Sequence, residues 1–493
     1  MKPKLFFVPI TLLICSSFIS TAQENKSNNT HKQEIDRYIK AEMKAEQIPG
    51  LAYAVVWDNK IIDSGAYGFA SVELKAPVTS HTLFNIGSIG KTFTATAIML
   101  LQKDGKLSIN DPINKYLDSL PGSWKDITIK HLLSHTSGIK DYAHDFPGYS
   151  FIEKDRKQEI TEAQFIRMAT NLPLNFQPGE RWAYSNSNFV LLGFIIHKLG
   201  GKPVGDFMKE GIFEPAGMIQ TRYTDIRDII PNRASGYLLD EDDNNKLING
   251  IYVSNFFSKM GDMGILTTAT DLARWSIAQD EAKVLDKQTL SQMWTVSKLR
   301  SGVEAMGIVG ANYGLGWSLS DHRGYQEIGH GGSFINGYTA SFSLFPEKHF
   351  AVVVLTNLNP TNVSWIGYDI AGFFIPELKG LARLRPEKNA DTSFNKSVLS
   401  FLESLGTENY DRTLVTENFI QRVNPIAKIL FQGDGAKFDL SFVQSDKITN
   451  KHLERYGLPI QKINYYKIKV GGETHYLAIY LTADNKIADM RGY

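Results

Sequence analysis

The sequence predicts an α+β fold. One antiparallel sheet carries helices packed on it, and a small C-terminal α+β domain follows. Three observations predict this. Strand-like runs lie near both ends of residues 34–375, at Leu51–Trp57 and Ile61–Gly68 and again at Tyr325–Ile328, Tyr338–Phe345 and Phe350–Leu355. Helical periodicities fill most of the interval between them. A Pro-, Lys- and Arg-rich stretch at 376–391 reads as a linker before 392–493. A sheet whose strands come from both ends of a segment, with helices on it, satisfies that order. At 493 residues the chain has room for two or three domains.

Residues 1–22 read as a secretory signal. Lys2 and Lys4 form its charged region, Leu5–Ile19 is apolar, and Ser20-Thr-Ala22 supplies small residues for cleavage. The apolar run is shorter than a spanning helix needs, and no later stretch is long enough. The expected location is therefore periplasmic or secreted, with no membrane span after cleavage. The single cysteine, Cys15, would leave with the signal, so no thiol chemistry is expected. Bulky Ile14 before it argues against lipidation. The formal net charge of +1 gives no basic surface for nucleic acid.

Residues 23–33 are polar and read as disordered. Ile35, Tyr38, Ile39 and Met43 then recur at helical spacing. Two strands follow, joined by an Asp-Asn-Lys turn. His131 and His135, in a short helix and turn over Ile127–Gly138, have a metal-like spacing. Leu132 replaces the glutamate of the usual motif and no third ligand is evident, so they read as surface or hydrogen-bonded histidines. A loop over Asn171–Ser187 leads to helices at Asn188–Leu199 and Val204–Phe213. The acidic turn at Asp240–Asn245 lacks the glycine and closing glutamate of a calcium loop. Thr270 reads as the cap of the next helix, Tyr338–Phe345 alternates, and Val363–Ile375 is helical. The C-terminal region offers a helix at Val398–Leu405, a helical run near Thr413–Gln421, and four strand-like runs. Gly471-Gly472 turns the hairpin between two of those runs.

The stretch with most chemical content is Phe84–Lys103. Phe93, Ala97, Leu100 and Leu101 keep helical spacing, and Asp104-Gly105 stops the helix. Ser88 stands in the first turn, with Lys91 three residues on and on the same face. A serine hydroxyl is a weak nucleophile until a neighbouring base takes its proton. A lysine held near a helix N-terminus and out of water can be that base. Backbone N–H groups there point at incoming negative charge. The same spacing recurs at Ser137/Lys140 and Ser393/Lys396, in a Ser-Gly turn and in a polar stretch, so the spacing alone is weak.

Together, Ser88-Ile-Gly-Lys91, Tyr184-Ser-Asn186 and His330-Gly-Gly332 resemble three ordered elements of the serine β-lactamase and penicillin-binding-protein superfamily. The resemblance is to its class C-like esterase and peptidase branch and covers roughly Glu34–Ile375. It implies that Ser88 is acylated while Lys91 and Tyr184 take and return its proton. It also implies that Asn186 bonds substrate or Lys91, and that His330, Gly331 and Gly332 form the strand lining the site. The backbone N–H groups of Ser88 and Ser333 would make the oxyanion hole. No cofactor or metal is implied. His330 stands where a lysine binds the substrate carboxylate in lactamases and carboxypeptidases, and it is expected to be mostly neutral at pH 7. Esters or amides are therefore the first expected substrates, peptides with D-residues the second and β-lactams the third. The partner is a small-molecule or peptide substrate.

The C-terminal region is similar to small accessory domains of secreted relatives, cystatin-like or NTF2-like, which could cover the site or bind an unknown partner. The alternative function is a catalytically weak binding or sensory protein of the same fold. An α/β-hydrolase is disfavoured, since Ile86 fills the first glycine position of its nucleophile motif.

Overall fold

The computed structural model describes residues 31–146, 159–225, 227–240, 242–243, 245–251, 261, 263–305, 312–387, 391–405, 409–420, 439–448, 453–455, 457–470 and 473–492. The expected leader and the Gly471-Gly472 turn lie outside them.

Helix α1 spans 31–45. It takes in the last three residues of the segment read as disordered. Lys32 ties them down, since its Nζ donates to Tyr53 Oη at 2.9 Å and lies 3.5 Å from Asp63 Oδ1. Strands β1 (Gly50–Trp57), β2 (Lys60–Ser71) and β3 (Ala76–Pro77) come next, then α2 (Gly90–Lys103), α3 (Asn186–Gly200) and α4 (Ala269–Asp280). The sheet resumes with β4 (Asn312–Tyr313), β5 (Ser318–His322), β6 (Tyr325–Phe334), β7 (Tyr338–Phe345) and β8 (Phe350–Thr356), and α5 (Val363–Phe374) closes the region. The order across the sheet is β3-β2-β1-β8-β7-β6-β5-β4, antiparallel throughout. The two ends of the segment meet where β1 pairs with β8, from Leu51 opposite Thr356 to Trp57 opposite Phe350.

Period-two alternation decides which side chains go to which layer. Ala52, Ala54 and Val56 of β1 join Val353 and Leu355 of β8 in a core with α2, α3 and α4. Leu51, Tyr53 and Val55 join Val352 and Val354 in a second core with α1 and α5. Both faces are covered, so β1 is buried up to its last residue. β7 alternates in sequence, and its polar residues Thr339, Ser341 and Ser343 are buried as well. Helix α5 lies over that polar row.

Several element ends differ from the sequence reading. α3 starts at Asn186, not Asn188, because Asp141 Oδ1 accepts from the Asn186 N–H at 3.1 Å. Such a partner satisfies an N–H that a helix start leaves open. α4 is capped by Thr268, whose hydroxyl accepts from Asp271 N at 3.1 Å, while Thr270 sits inside the first turn. The Val204–Phe213 helix is α-helical to Met208 and then a π-turn over Lys209–Phe213.

Residues 376–387 of the stretch read as a linker are docked. Leu378 and Leu381 are buried, and Arg383 pairs with Glu42 at 2.7 Å and Asp369 at 3.2 Å. Beyond it, α6 (Thr392–Ser404) starts six residues before the expected Val398, because Asp391 caps it through the N–H groups of Ser393 and Phe394. A 3-10 turn at Arg412–Leu414 stands where part of the second helical run was expected. Strands β9 (Asp439–Lys447), β10 (Lys462–Val470), β11 (Glu473–Leu481) and β12 (Ile487–Gly492) form an antiparallel sheet in that order. α6 packs Val398, Phe401 and Leu402 on it.

This small domain grips β5 and the turn after it. Arg323 makes a bidentate pair with Asp446 at 2.8 and 2.7 Å, and Tyr480 Oη donates to Asp321 Oδ2 at 2.8 Å. Among the described residues no helix is long and apolar enough to cross a membrane.

Candidate active site

Ser88 lies in a 3-10 turn, Gly87–Ile89, that runs into α2. Two glycines bring this turn against β6. Gly87 has φ +48°, and a side chain there would meet the Ser333 backbone at 2.9 Å. A Cβ on Gly332 would come within 1.9 Å of Ile86 O. Asn85 Oδ1 steadies the turn by accepting from Gly87 N at 2.8 Å.

One turn on from Ser88, at the second residue of α2, Lys91 is fully buried. Its Nζ donates to Ser88 Oγ at 2.9 Å and to Asn186 Oδ1 at 2.8 Å. Tyr184, from the loop before α3, brings its Oη to 2.9 Å from Ser88 Oγ. Its ring centroid is 5.0 Å from Lys91 Nζ. The serine oxygen is thus flanked by an amine and a phenol. Behind them Asn186 Nδ2 donates to Asp141 Oδ2 at 3.1 Å. Burial pushes the Asp141 carboxyl up, opposed by the N–H groups of Ala143 and Asn186, His144 and the Lys91 charge. This chain orients the Asn186 amide, so that its oxygen faces Lys91.

His330 sits on β6 opposite Phe342, between Gly329 and Gly331. Its Nε2 is 2.9 Å from Tyr313 Oη and its Nδ1 2.6 Å from Gly331 O. The carbonyl accepts from Nδ1–H, so Nε2 accepts the Tyr313 proton. Burial, then the Lys91 charge, push this imidazole down to about 4. Both ring nitrogens are spent on the protein, and the ring forms a wall of the site. An open cleft of about 750 Å³ runs past Ser88, Tyr184, Tyr313, Gly331 and Ser333, with Thr361–Ser364 on its far side.

The turn and helix starts bring Ser88, Lys91, Tyr184 and Asn186 together, and β6 adds His330, Gly331, Gly332 and Ser333. Sequence reasoning missed Asp141, Tyr313 and a role for His135. His135 is fully buried at φ +57°, with its ring centroid 4.3 Å from that of Tyr184. Its Nδ1 accepts from Ser185 N at 3.2 Å, and burial, then the Lys91 charge, holds it well below its ordinary value. It is therefore a neutral support for the tyrosine. His131 does separate work, since its Nδ1 accepts from Thr128 N at 3.2 Å in a helix cap. The available signal was the run Leu-Leu-Ser-His-Thr-Ser-Gly, whose His135 reads from the sequence only as a surface or hydrogen-bonded histidine. No group of three His, Cys, Asp or Glu side chains that could hold a metal occurs among the described residues.

A sheet built from both ends of a segment, with a Ser–Lys–Tyr cluster at the start of its central helix, defines a serine-hydrolase type of fold. Residues 35–371 match the family model described as Beta-lactamase, and the chain belongs to that family. It is 30% identical over 304 residues to penicillin-binding protein 4* of Bacillus subtilis, covering 59% of this chain and 64% of the relative. It is 26% identical to protein flp of Staphylococcus aureus, covering 67% of this chain and 64% of the relative. The match therefore spans just under two thirds of either relative. Two solved structures share the fold. An octameric penicillin-binding protein homologue from Pyrococcus abyssi aligns with TM-score 0.61 and 24% identity, over 92% of this chain and 96% of its own. A class C beta-lactamase aligns with TM-score 0.57 and 24% identity, over 70% and 96%.

Proposed function

We propose that the protein is an exported serine hydrolase that works through an acyl-enzyme at Ser88. The observation that carries this is the placing of Lys91 Nζ and Tyr184 Oη each 2.9 Å from Ser88 Oγ. Ser88 attacks the carbonyl carbon, and its proton passes to the Tyr184–Lys91 pair. That pair then protonates the leaving group, which departs as alcohol or amine. Water, deprotonated by the same pair, attacks the acyl carbon and frees Ser88. The Ser88 and Ser333 N–H groups hold the oxyanion. Asn186 keeps Lys91 aimed at the serine.

A neutral His330 supports the substrate order of esters or amides, then D-residue peptides, then β-lactams. It supplies no cation for a substrate carboxylate. Export is supported by the pattern of charged, apolar and small residues over 1–22.

The test is the intact mass of the folded protein after brief exposure to a fluorophosphonate, with Ser88→Ala alongside. One adduct in the wild type and none in the variant is the expected result. A folded wild type without an adduct, or an adduct that persists in Ser88→Ala, overturns the reading.

A further inference from the structure

Beneath α5, a second cavity of about 130 Å³ shares Ser318, His330, Gly331 and Ser364 as walls with the cleft. Strand register creates it. β7 puts Ser341 opposite Gly331 and Ser343 opposite Gly329, and β5 puts Ser318 opposite Gly329 and Ser320 opposite Glu327. The two glycines withhold side chains from this face. A Cβ on Gly331 would meet nothing within 4 Å. The space left is lined by hydroxyls.

At its inner end stands the Glu327 carboxylate, 7% exposed. Its oxygens accept from Ser343 Oγ at 2.6 Å, Tyr368 Oη at 2.8 Å and Ser320 Oγ at 3.0 Å. Among the described residues none of its partners is a cation. Burial pushes the group up, and only the hydroxyls of Ser343, Tyr368 and Ser320 oppose it. A buried carboxylate without a positive partner is costly, and natural proteins pair such groups. The hydroxyls that donate to Glu327 keep lone pairs for another donor. The cavity is therefore rich in acceptors, has a carboxyl group at its base, and shares walls with the cleft that holds Ser88.

We infer that this cavity seats a primary ammonium group of the substrate, so that the enzyme acts on acyl compounds carrying an amine on a flexible chain. This rests on the serine-hydrolase reading above. Gly331 and Glu327 are four residues apart, about 13 Å along an extended strand, so the amine rides several methylenes from the reacting carbonyl.

Two measurements test the inference. The first compares kcat/KM for p-nitrophenyl esters of ω-aminohexanoate and ω-aminooctanoate with those of heptanoate and nonanoate, which replace the ammonium by methyl. A preference of about tenfold or more for the better amino ester is expected, as for a charge-assisted hydrogen bond, and it should vanish in Glu327→Gln. Gly331→Val, which fills the mouth from open space, should lose it too and serves if Glu327→Gln does not fold. The second measures calorimetric binding of hexylammonium to folded Ser88→Ala, with and without Glu327→Gln. Saturable binding that needs Glu327 is expected. Equal rates on the paired esters, a preference retained in Glu327→Gln, or no ammonium binding overturns the inference. Because the binding arm needs no turnover, an inactive Ser88 would refute the hydrolase reading while leaving this site standing or falling by itself.

Discussion

Two stretches of the chain carry the same spacing of serine and lysine and do opposite things. At Ser88 and Lys91 the pair spans a 3-10 turn and the first turn of α2, and the two polar atoms meet at 2.9 Å. At Ser137 and Lys140 the chain turns through Gly138 at φ +78°. There the serine donates to Asn188 Oδ1 at 2.6 Å and the lysine to Asn175 Oδ1 at 2.8 Å, so each is committed to a different neighbour. Spacing supplies only the chance of a meeting. Helical backbone puts the two side chains on one face, and burial keeps water from separating them.

The strongest way to break this contrast is to remove the two lysines in turn. Lys91→Ala should lower kcat/KM on a p-nitrophenyl ester by about 10⁴-fold, the upper range for a lost general base. Lys140→Ala should change it by no more than about twofold, as for an exposed polar contact. Equal losses would dissolve the distinction. Tyr184→Phe removes the second group on Ser88 Oγ and should lower kcat/KM by about 10²-fold with KM little changed.

Acid stability sharpens the comparison from the side of burial. The folded His330 value of about 4 lies below the ordinary 6.5, so the fold favours the neutral ring. The stability this contributes is complete above pH 6.5 and is lost as pH falls toward 4. His322, pushed down to about 3 chiefly by burial, acts in the same direction. Thermal unfolding followed from pH 7 to 4 should show a falling midpoint, and His330→Gln should flatten part of that fall. A midpoint that rises on acidification would contradict a neutral His330. Ser137→Ala reads the same contrast in stability and not in rate. It leaves Asn188 Oδ1 without its hydroxyl donor and should cost about 1–2 kcal/mol in denaturant unfolding, with activity within a few-fold of wild type.

The legible parts of the site were those written locally. Ser88 and Lys91 are three residues apart at a helix start, and Tyr184 and Asn186 flank the start of another. The sheet was legible because its alternating and apolar runs stand outside the helical middle. Asp141, His135 and Tyr313 were not, because each acts through a partner 17 to 50 residues away. Nothing local marks them. Glu327 looks like an ordinary strand glutamate until α5 is laid over its face.

The sequence by itself determined the order of elements, the strands at both ends, and the shared helix start that brings Ser88 and Lys91 together. These follow from periodicity and short-range geometry, which any chain of this pattern must obey. Tertiary structure alone decided that residues 376–387 of the expected linker are docked and that the polar row of β7 is buried. It also decided that His330 spends both nitrogens on its own fold. Burial and strand register arise from contacts between distant segments, and no local stretch contains the information about what will lie against it.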